Sequence, residues 1–178
     1  MPPKQRYTRE RILDQAYALF LEGGMQAINA RSVSKALNCS TQPIFSYFPD
    51  MQGLREAIRE RAMDQLSDSL AEAPSVLARH VAYVRFASRF PCVFLELSKP
   101  AEGSESAACL LLRTPEELLC AEEAQIALPR EELLHALRML CVTAHGLAFL
   151  LASGILAFDE DHLAAELHTA YARLARAN

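Results

Sequence analysis

The sequence predicts an all-α protein: an N-terminal three-helix head on a larger helical body, about nine helices in all. Three observations predict it. Apolar residues recur at three- and four-residue spacing along most of the chain, and strand-like alternation is nearly absent. Capping residues stand where the periodic runs begin, as at Thr8, Asn29 and Asp50. Breakers stand between the runs: Gly23-Gly24, Pro74, Pro91 and Pro129. At 178 residues and 51% hydrophobic, the chain can bury a core without staples, and 22% charged residues do not describe a disordered chain.

Taken in order, Ile12, Leu13, Ala16, Leu19 and Phe20 mark a first helix, capped by Thr8 and stopped by the glycine pair. A short helix over 31–37 follows, with Asn29 placed as its cap, then a turn and a second short helix within 38–48. Asp50 caps a longer helix running to about 70. Pro74 breaks the chain before a helix over about 75–90, and Pro91 opens another at its first turn. The polar run 99–106 reads as a loop. In TPEE, Thr114 reads as the cap, Pro115 as N1 and Glu117 as the N3 partner of a capping box. Leu128-Pro129 breaks the chain before a long helix over about 130–156. Asp159 then caps a last helix with Leu163, Leu167, Ala170, Tyr171 and Leu174 on one face. The division into domains falls at 1–50 and 51–178.

The net charge of −4 hides an asymmetry. Residues 1–48 hold six basic and three acidic side chains, net +3, which leaves −7 for the rest. A basic head on an acidic body suggests that only the head meets a polyanion. Five scattered cysteines without a CxxC pair, and no start resembling a signal peptide, read as a reduced cytoplasmic protein. Residues 139–158 contain no charged side chain, a length that crosses a bilayer. Thr143, His145, Ser153, two glycines and acidic flanks argue instead for a buried helix and no membrane. The small residues Ala144, Gly146, Ala148, Ala152 and Gly154 favour a close helix–helix interface, as between two subunits.

Residues 31–47 have the layout of two short helices about the turn Asn38-Cys39-Ser40. Asn38 tolerates the left-handed conformation at the reversal, and Ser40 is expected to cap the second helix. Thr41, Gln42 and Pro43 are then N1, N2 and N3, where a proline removes no intrahelical bond. Val33, Leu37, Ile44 and Phe48 form an inner face toward Ile12, Ala16 and Phe20. Thr41, Gln42 and Ser46 face outward, with Pro43 and Phe45 beside them. Glutamine can pair with adenine, and a threonine or proline surface can touch a thymine methyl. Arg31 and Tyr47 suit phosphate oxygens. The plainer alternative for this spacing is a capped helical hairpin in a bundle.

The run RSVSKALNCSTQPIFSYF resembles the DNA-binding signature of TetR-family transcriptional regulators, with Arg31, Val33, Lys35, Ser40, Ile44, Phe45 and Phe48 on the pattern and Phe20 and Gly24 matching upstream. The resemblance covers about 8–58. In the body it rests on helix layout and on AHGLAFLLASG, 144–154, similar to the interface helix of some members. It implies a ligand-responsive repressor of double-stranded operator DNA. It implies a homodimer through about 130–156 and 161–176, whose heads lie about one DNA turn apart, ~34–36 Å, on a near-palindromic operator. It also implies an effector cavity in the body, with Phe86, Phe90, Phe94, Leu112, Met139, Thr143 and Phe149 as candidate lining for a small apolar or aromatic effector. The effector would shift the population of head spacings through the helix over 51–70.

Three departures from the pattern are visible. Asn38 replaces the turn glycine, Phe45 replaces the usual tyrosine, and Pro49-Asp50-Met51 replaces the lysines that often follow. The first is tolerable; the other two leave open a second reading, a helical small-molecule-binding protein with weakened DNA affinity. A third, enzymatic or metal-binding, reading attaches to Cys141 and His145, four apart on one helix. No third orienting group is placed by spacing and no HxxxH or HxH pattern occurs, so neither a catalytic residue, a metal nor a cofactor is expected.

Overall fold

The structure is a computed structural model that describes residues 7–99, 105–126, 128–157 and 160–176. The described residues form helices joined by turns, with no strand among them. The chain divides into two compact units, Met1–Met63 and Asp64–Asn178.

The first unit contains α1 (Arg9–Gly23), a 3-10 turn (Met25–Ala27), α2 (Ala30–Ala36), α3 (Gln42–Tyr47) and the first turns of α4 (Met51–Ala71). Thr8 caps α1 by accepting from the Arg11 amide. Gly24, at φ +68°, ends α1, a conformation that L side chains rarely adopt. The core consists of Ile12, Ala16, Phe20, Ile28, Val33, Ile44, Leu54 and Ile58, each fully buried. Burial of each of these side chains other than Ala16 stabilises by about 1.5–3 kcal/mol.

The second unit continues with α5 (Val76–Arg89), α6 (Pro91–Ser98), α7 (Ala107–Leu112), α8 (Glu116–Ile126), α9 (Arg130–Ala152) and α10 (Glu160–Arg176). Ser75 caps α5, and Pro91 opens α6 in its first turn, as expected. The long helices α5 and α9 pack along each other, and α10 packs against both. Tyr83, Val84 and Ala87 meet Leu140, Ala144 and Ala148 in a fully buried core, with Phe94, Leu97 and Leu111 from α6 and α7.

Four boundaries differ from expectation. The segment 107–112 forms α7, a tenth α-helix; at six residues it is too short to show a period, and burial of Ala107 and Leu111, four apart, secures it. Helix α8 begins at Glu116, so Pro115 precedes the helix instead of occupying N1. Its carbonyl accepts the first bonds, from the Leu118 and Leu119 amides. Helix α3 begins at Gln42, with Thr41 at the cap and no side-chain capping bond; Ser40 therefore does not cap it, and Gln42 and Pro43 move to N1 and N2.

Helix α9 ends at Ala152 rather than near 156. Gly154, at φ +71°, reverses the chain there. The Ile155 amide donates to Leu150 O at 3.0 Å and the Gly154 amide to Leu151 O at 3.0 Å, the paired bonds of a Schellman cap. By length and composition α9 could cross a membrane. Its uncharged part, 139–152, is only 14 residues or about 21 Å long, short of a ~30 Å hydrocarbon layer. Nor is α9 buried all round. Leu133, Leu137, Leu140, Cys141, Ala144 and Ala148 face the core, while Met139, Val142, Thr143, Gly146 and Phe149 on the opposite side are exposed. Asp159 and the side chain of Leu174 lie outside the described residues.

Candidate DNA-binding surface and body cavity

The helix-turn-helix is built by local bonds. Asn29 and Ser32 form a reciprocal capping box at the start of α2: Asn29 Oδ1 accepts from the Ser32 amide at 2.9 Å, and Ser32 Oγ accepts from the Asn29 amide at 3.2 Å. At the far end Asn38 adopts φ +53°. The Cys39 amide donates to Ser34 O at 3.0 Å and the Asn38 amide to Lys35 O at 3.1 Å. This is the same Schellman cap that ends α9, with asparagine in place of glycine. The turn thereby aims α3 away from α2.

Ile44 and Phe48 are buried, which fixes the rotation of α3. Thr41, Gln42, Phe45 and Ser46 are consequently exposed, with Phe45 45% accessible despite its apolar ring. Arg31, Lys35 and Ser40 are exposed as well, and Pro43 and Tyr47 are half-buried. Pro43 at N2 has no intrahelical acceptor to miss, so it leaves the helix intact.

Tyr47, expected at phosphate, makes a bond within the head. Its hydroxyl donates to Tyr7 O at 3.0 Å. The Tyr7 hydroxyl in turn donates to Asn38 O at 3.5 Å. Tyr7 thus fastens the segment before α1 to the helix-turn-helix, a role the sequence reading missed. The available signal was an aromatic residue immediately before the Thr8 cap, the position of a hydrophobic staple. The Ser46 hydroxyl donates to Gln42 O at 3.0 Å within its own helix. Arg9 stacks its guanidinium over the Phe48 ring, 5.1 Å from its centroid, while Lys4 and Arg6 lie outside the described residues. Asp50 caps α4 by accepting from the Gly53 amide at 2.8 Å, which accounts for an acidic residue where basic ones were expected.

In the body, the residues expected to line one cavity are dispersed. Phe86 and Phe94 are buried in the core and Phe90 packs on Phe86, ring centroids 5.3 Å apart. Leu112, Met139, Thr143 and Phe149 are exposed. A cleft of about 150 Å³ lies among α7, α8 and α9, lined by Leu112, Leu119, Leu134, Leu137, Arg113, Arg138, Thr114 and Cys141. Only Leu112 belongs to both sets. Helical periodicity selected inward- and outward-facing apolar residues alike, because it carries no information on which faces meet.

Cys141 and His145 share a helix but have different partners. His145 Nδ1 bonds the Tyr83 hydroxyl at 2.7 Å. Cys141 Sγ lies 3.2 Å from Nε2 of His80 on α5. Neither His80 nor its neighbour Arg79 was singled out by sequence, since their partners are distant in the chain. Burial pulls both His80 and His145 below the usual histidine value; for His80 its bond to Val76 opposes this and the Arg79 charge adds to it. Burial pushes the Cys141 thiol up to about 11 against the pull of Arg79. Arg79 is itself buried, donating to Leu70 O, Leu110 O and Arg113 O, and its Nε finds no acceptor. Among the described residues no cluster of three His, Cys, Asp or Glu could hold a metal ion.

An exposed short helix, held by a buried partner across a tight asparagine turn, is the architecture of a helix-turn-helix DNA-binding regulator. Residues 12–58 match the family model of bacterial regulatory proteins, tetR family. Two solved structures share the fold of the whole chain. One is a tetR-family transcriptional regulator from Streptomyces coelicolor, 22% identical, covering 98% of this chain and 82% of that one at a TM-score of 0.68. The other is a TetR-like transcriptional regulator from Rhodococcus sp. RHA1, 14% identical, covering 97% of each chain at a TM-score of 0.59. No curated protein matches the chain. The head is thus similar over residues 12–58 to the TetR family of bacterial regulators, and the chain as a whole has the fold of those solved TetR-family structures.

Proposed function

We propose that the chain is a cytoplasmic, ligand-responsive transcriptional repressor that binds a near-palindromic operator as a homodimer. The observation that carries this reading is the exposed face of α3, where Thr41, Gln42 and Phe45 project while Ile44 and Phe48 are locked inside. Gln42 supplies a bidentate partner for adenine, and Phe45, with Pro43 beside it, supplies apolar contact for a thymine methyl. Arg31 and Lys35 on α2, with Ser40 and Thr41 in the turn, supply phosphate contacts.

The dimer reading rests on α9. Met139, Val142, Gly146 and Phe149 form an exposed stripe at helical spacing, and a side chain at Gly146 would meet nothing within 4 Å. A second copy of α9 and α10 covers such a stripe. The body cleft is the candidate effector site, and the role is regulatory rather than enzymatic.

A second reading, a small-molecule-binding protein with weakened DNA affinity, draws on the absent hydroxyl at Phe45 and the internal bond of Tyr47. Electrophoretic retardation of the DNA flanking the chain's own coding region separates the two. Retardation that weakens steeply with salt is expected. No retardation at low ionic strength favours the second reading.

A further inference from the structure

Cys141 borders the body cleft and points its thiol at a base. His80 Nδ1 bonds Val76 O at 2.7 Å. A carbonyl only accepts, so the proton sits on Nδ1 and Nε2 presents its lone pair to Sγ at 3.2 Å. The thiol is therefore the donor in that pair. Its other acceptor, Leu111 O, is more distant at 3.7 Å. A nucleophile bonded to a base that a third group orients is the arrangement used for thiol addition. His80 is fully buried, so the bond to Val76 holds its ring in one orientation.

The surroundings suit one class of reactant. The cleft of about 150 Å³ is a volume that accepts a benzene-sized ring. Leu112, Leu134 and Leu137 provide apolar walls, and Arg138 lines the same cleft with Arg113, which is ion-paired with Glu105. Burial pushes the Cys141 thiol up to about 11, with the Arg79 charge pulling against it, so deprotonation depends on the bonded base His80.

We propose that Cys141, with His80 as its base, is an addition site for small cyclic α,β-unsaturated carbonyl compounds that enter this cleft. His80 Nε2 removes the thiol proton as sulfur attacks the β-carbon. The C=C π pair moves to the α-carbon and carbonyl oxygen, in a cleft that Arg138 also lines. The proton then passes from Nε2 to the α-carbon. One S–C and one C–H bond replace the S–H bond and the π bond, and nothing is oxidised or reduced. The regulatory consequence rests on the repressor reading above; the addition itself does not.

The test uses the full chain with Cys39, Cys92, Cys109 and Cys120 replaced by serine, exposed to 2-cyclohexen-1-one and followed by intact mass and peptide mapping. One adduct on Cys141 is expected, forming about 100-fold more slowly in His80→Gln. Should His80→Gln not fold, Leu134→Trp fills the cleft at a half-buried position and leaves the Cys–His pair in place. At least a tenfold loss of adduct rate is expected there. A folded chain whose Cys141 stays unmodified, or reacts equally fast in both variants, overturns the proposal. Release of retarded DNA on adduct formation supports the regulatory use. An adduct with unchanged retardation overturns that use and leaves the addition site standing.

Discussion

Acidification is expected to destabilise the body through its two enclosed histidines. Burial holds both His80 and His145 below the usual histidine value. In the unfolded chain each returns to about 6.5. Between that value and the lower folded one the unfolded state binds more protons, so stability rises with pH there. The contribution is complete above about pH 6.5 and is lost as pH falls toward the folded values. A histidine that stays neutral in the folded state throughout costs about 1.4 kcal/mol between pH 7.5 and 5.5. That is the upper bound for each, and fully buried His80 is expected to supply a larger part of it than half-buried His145, for a total below about 2.7 kcal/mol. Urea denaturation at fixed protein concentration across that range, monitored by circular dichroism, measures it. His80→Asn removes the larger share of the slope. A wild-type midpoint that does not move between pH 7.5 and 5.5, or a His80→Asn variant that retains the whole drop, refutes the reasoning.

Three further outcomes are expected. Asn29→Ala removes one half of the capping box and lowers the stability of the head by about 1 kcal/mol, read as an earlier thermal transition. At φ +53°, Asn38→Ala is destabilising by about 1 kcal/mol while Asn38→Gly is neutral or stabilising, a contrast that unrelated surface effects do not produce. Val142→Asp, at a position 64% exposed in the single chain, leaves the fold intact but shifts native mass toward the monomer; retention of a dimer at micromolar concentration removes α9 from the interface.

The head was legible in the sequence because it is built from local rules. Thr8, Asn29, Asn38 and Asp50 act within three or four residues of their own positions, and each occupies the place its chemistry suggested. The one-residue shift of α3 shows the limit: Ser40 and Thr41 are both acceptable caps, and local preference does not choose between them. The docking of Ile44 and Phe48 settled the rotation of the helix, and with it which side chains are exposed.

The body shows the converse. Most of its helices, and the proline-marked start of α6, followed from periodicity and turn chemistry, both written in adjacent residues, whereas α7 and the end of α9 at Ala152 did not. The bonds of His80 to Cys141 and Tyr83 to His145 join residues 61 and 62 positions apart, as that of Tyr47 to Tyr7 in the head joins residues 40 apart. No spacing rule reaches across such intervals. A short apolar helix such as α7 exists because another element covers it, and a cleft exists where three helices fail to close. The chain by itself determined the all-α class, the helix-turn-helix and the order of the helices, since backbone hydrogen bonding and amphipathic period are local quantities. Only the tertiary structure decided which apolar faces are core and which histidine meets Cys141, because burial is set by partners distant in sequence.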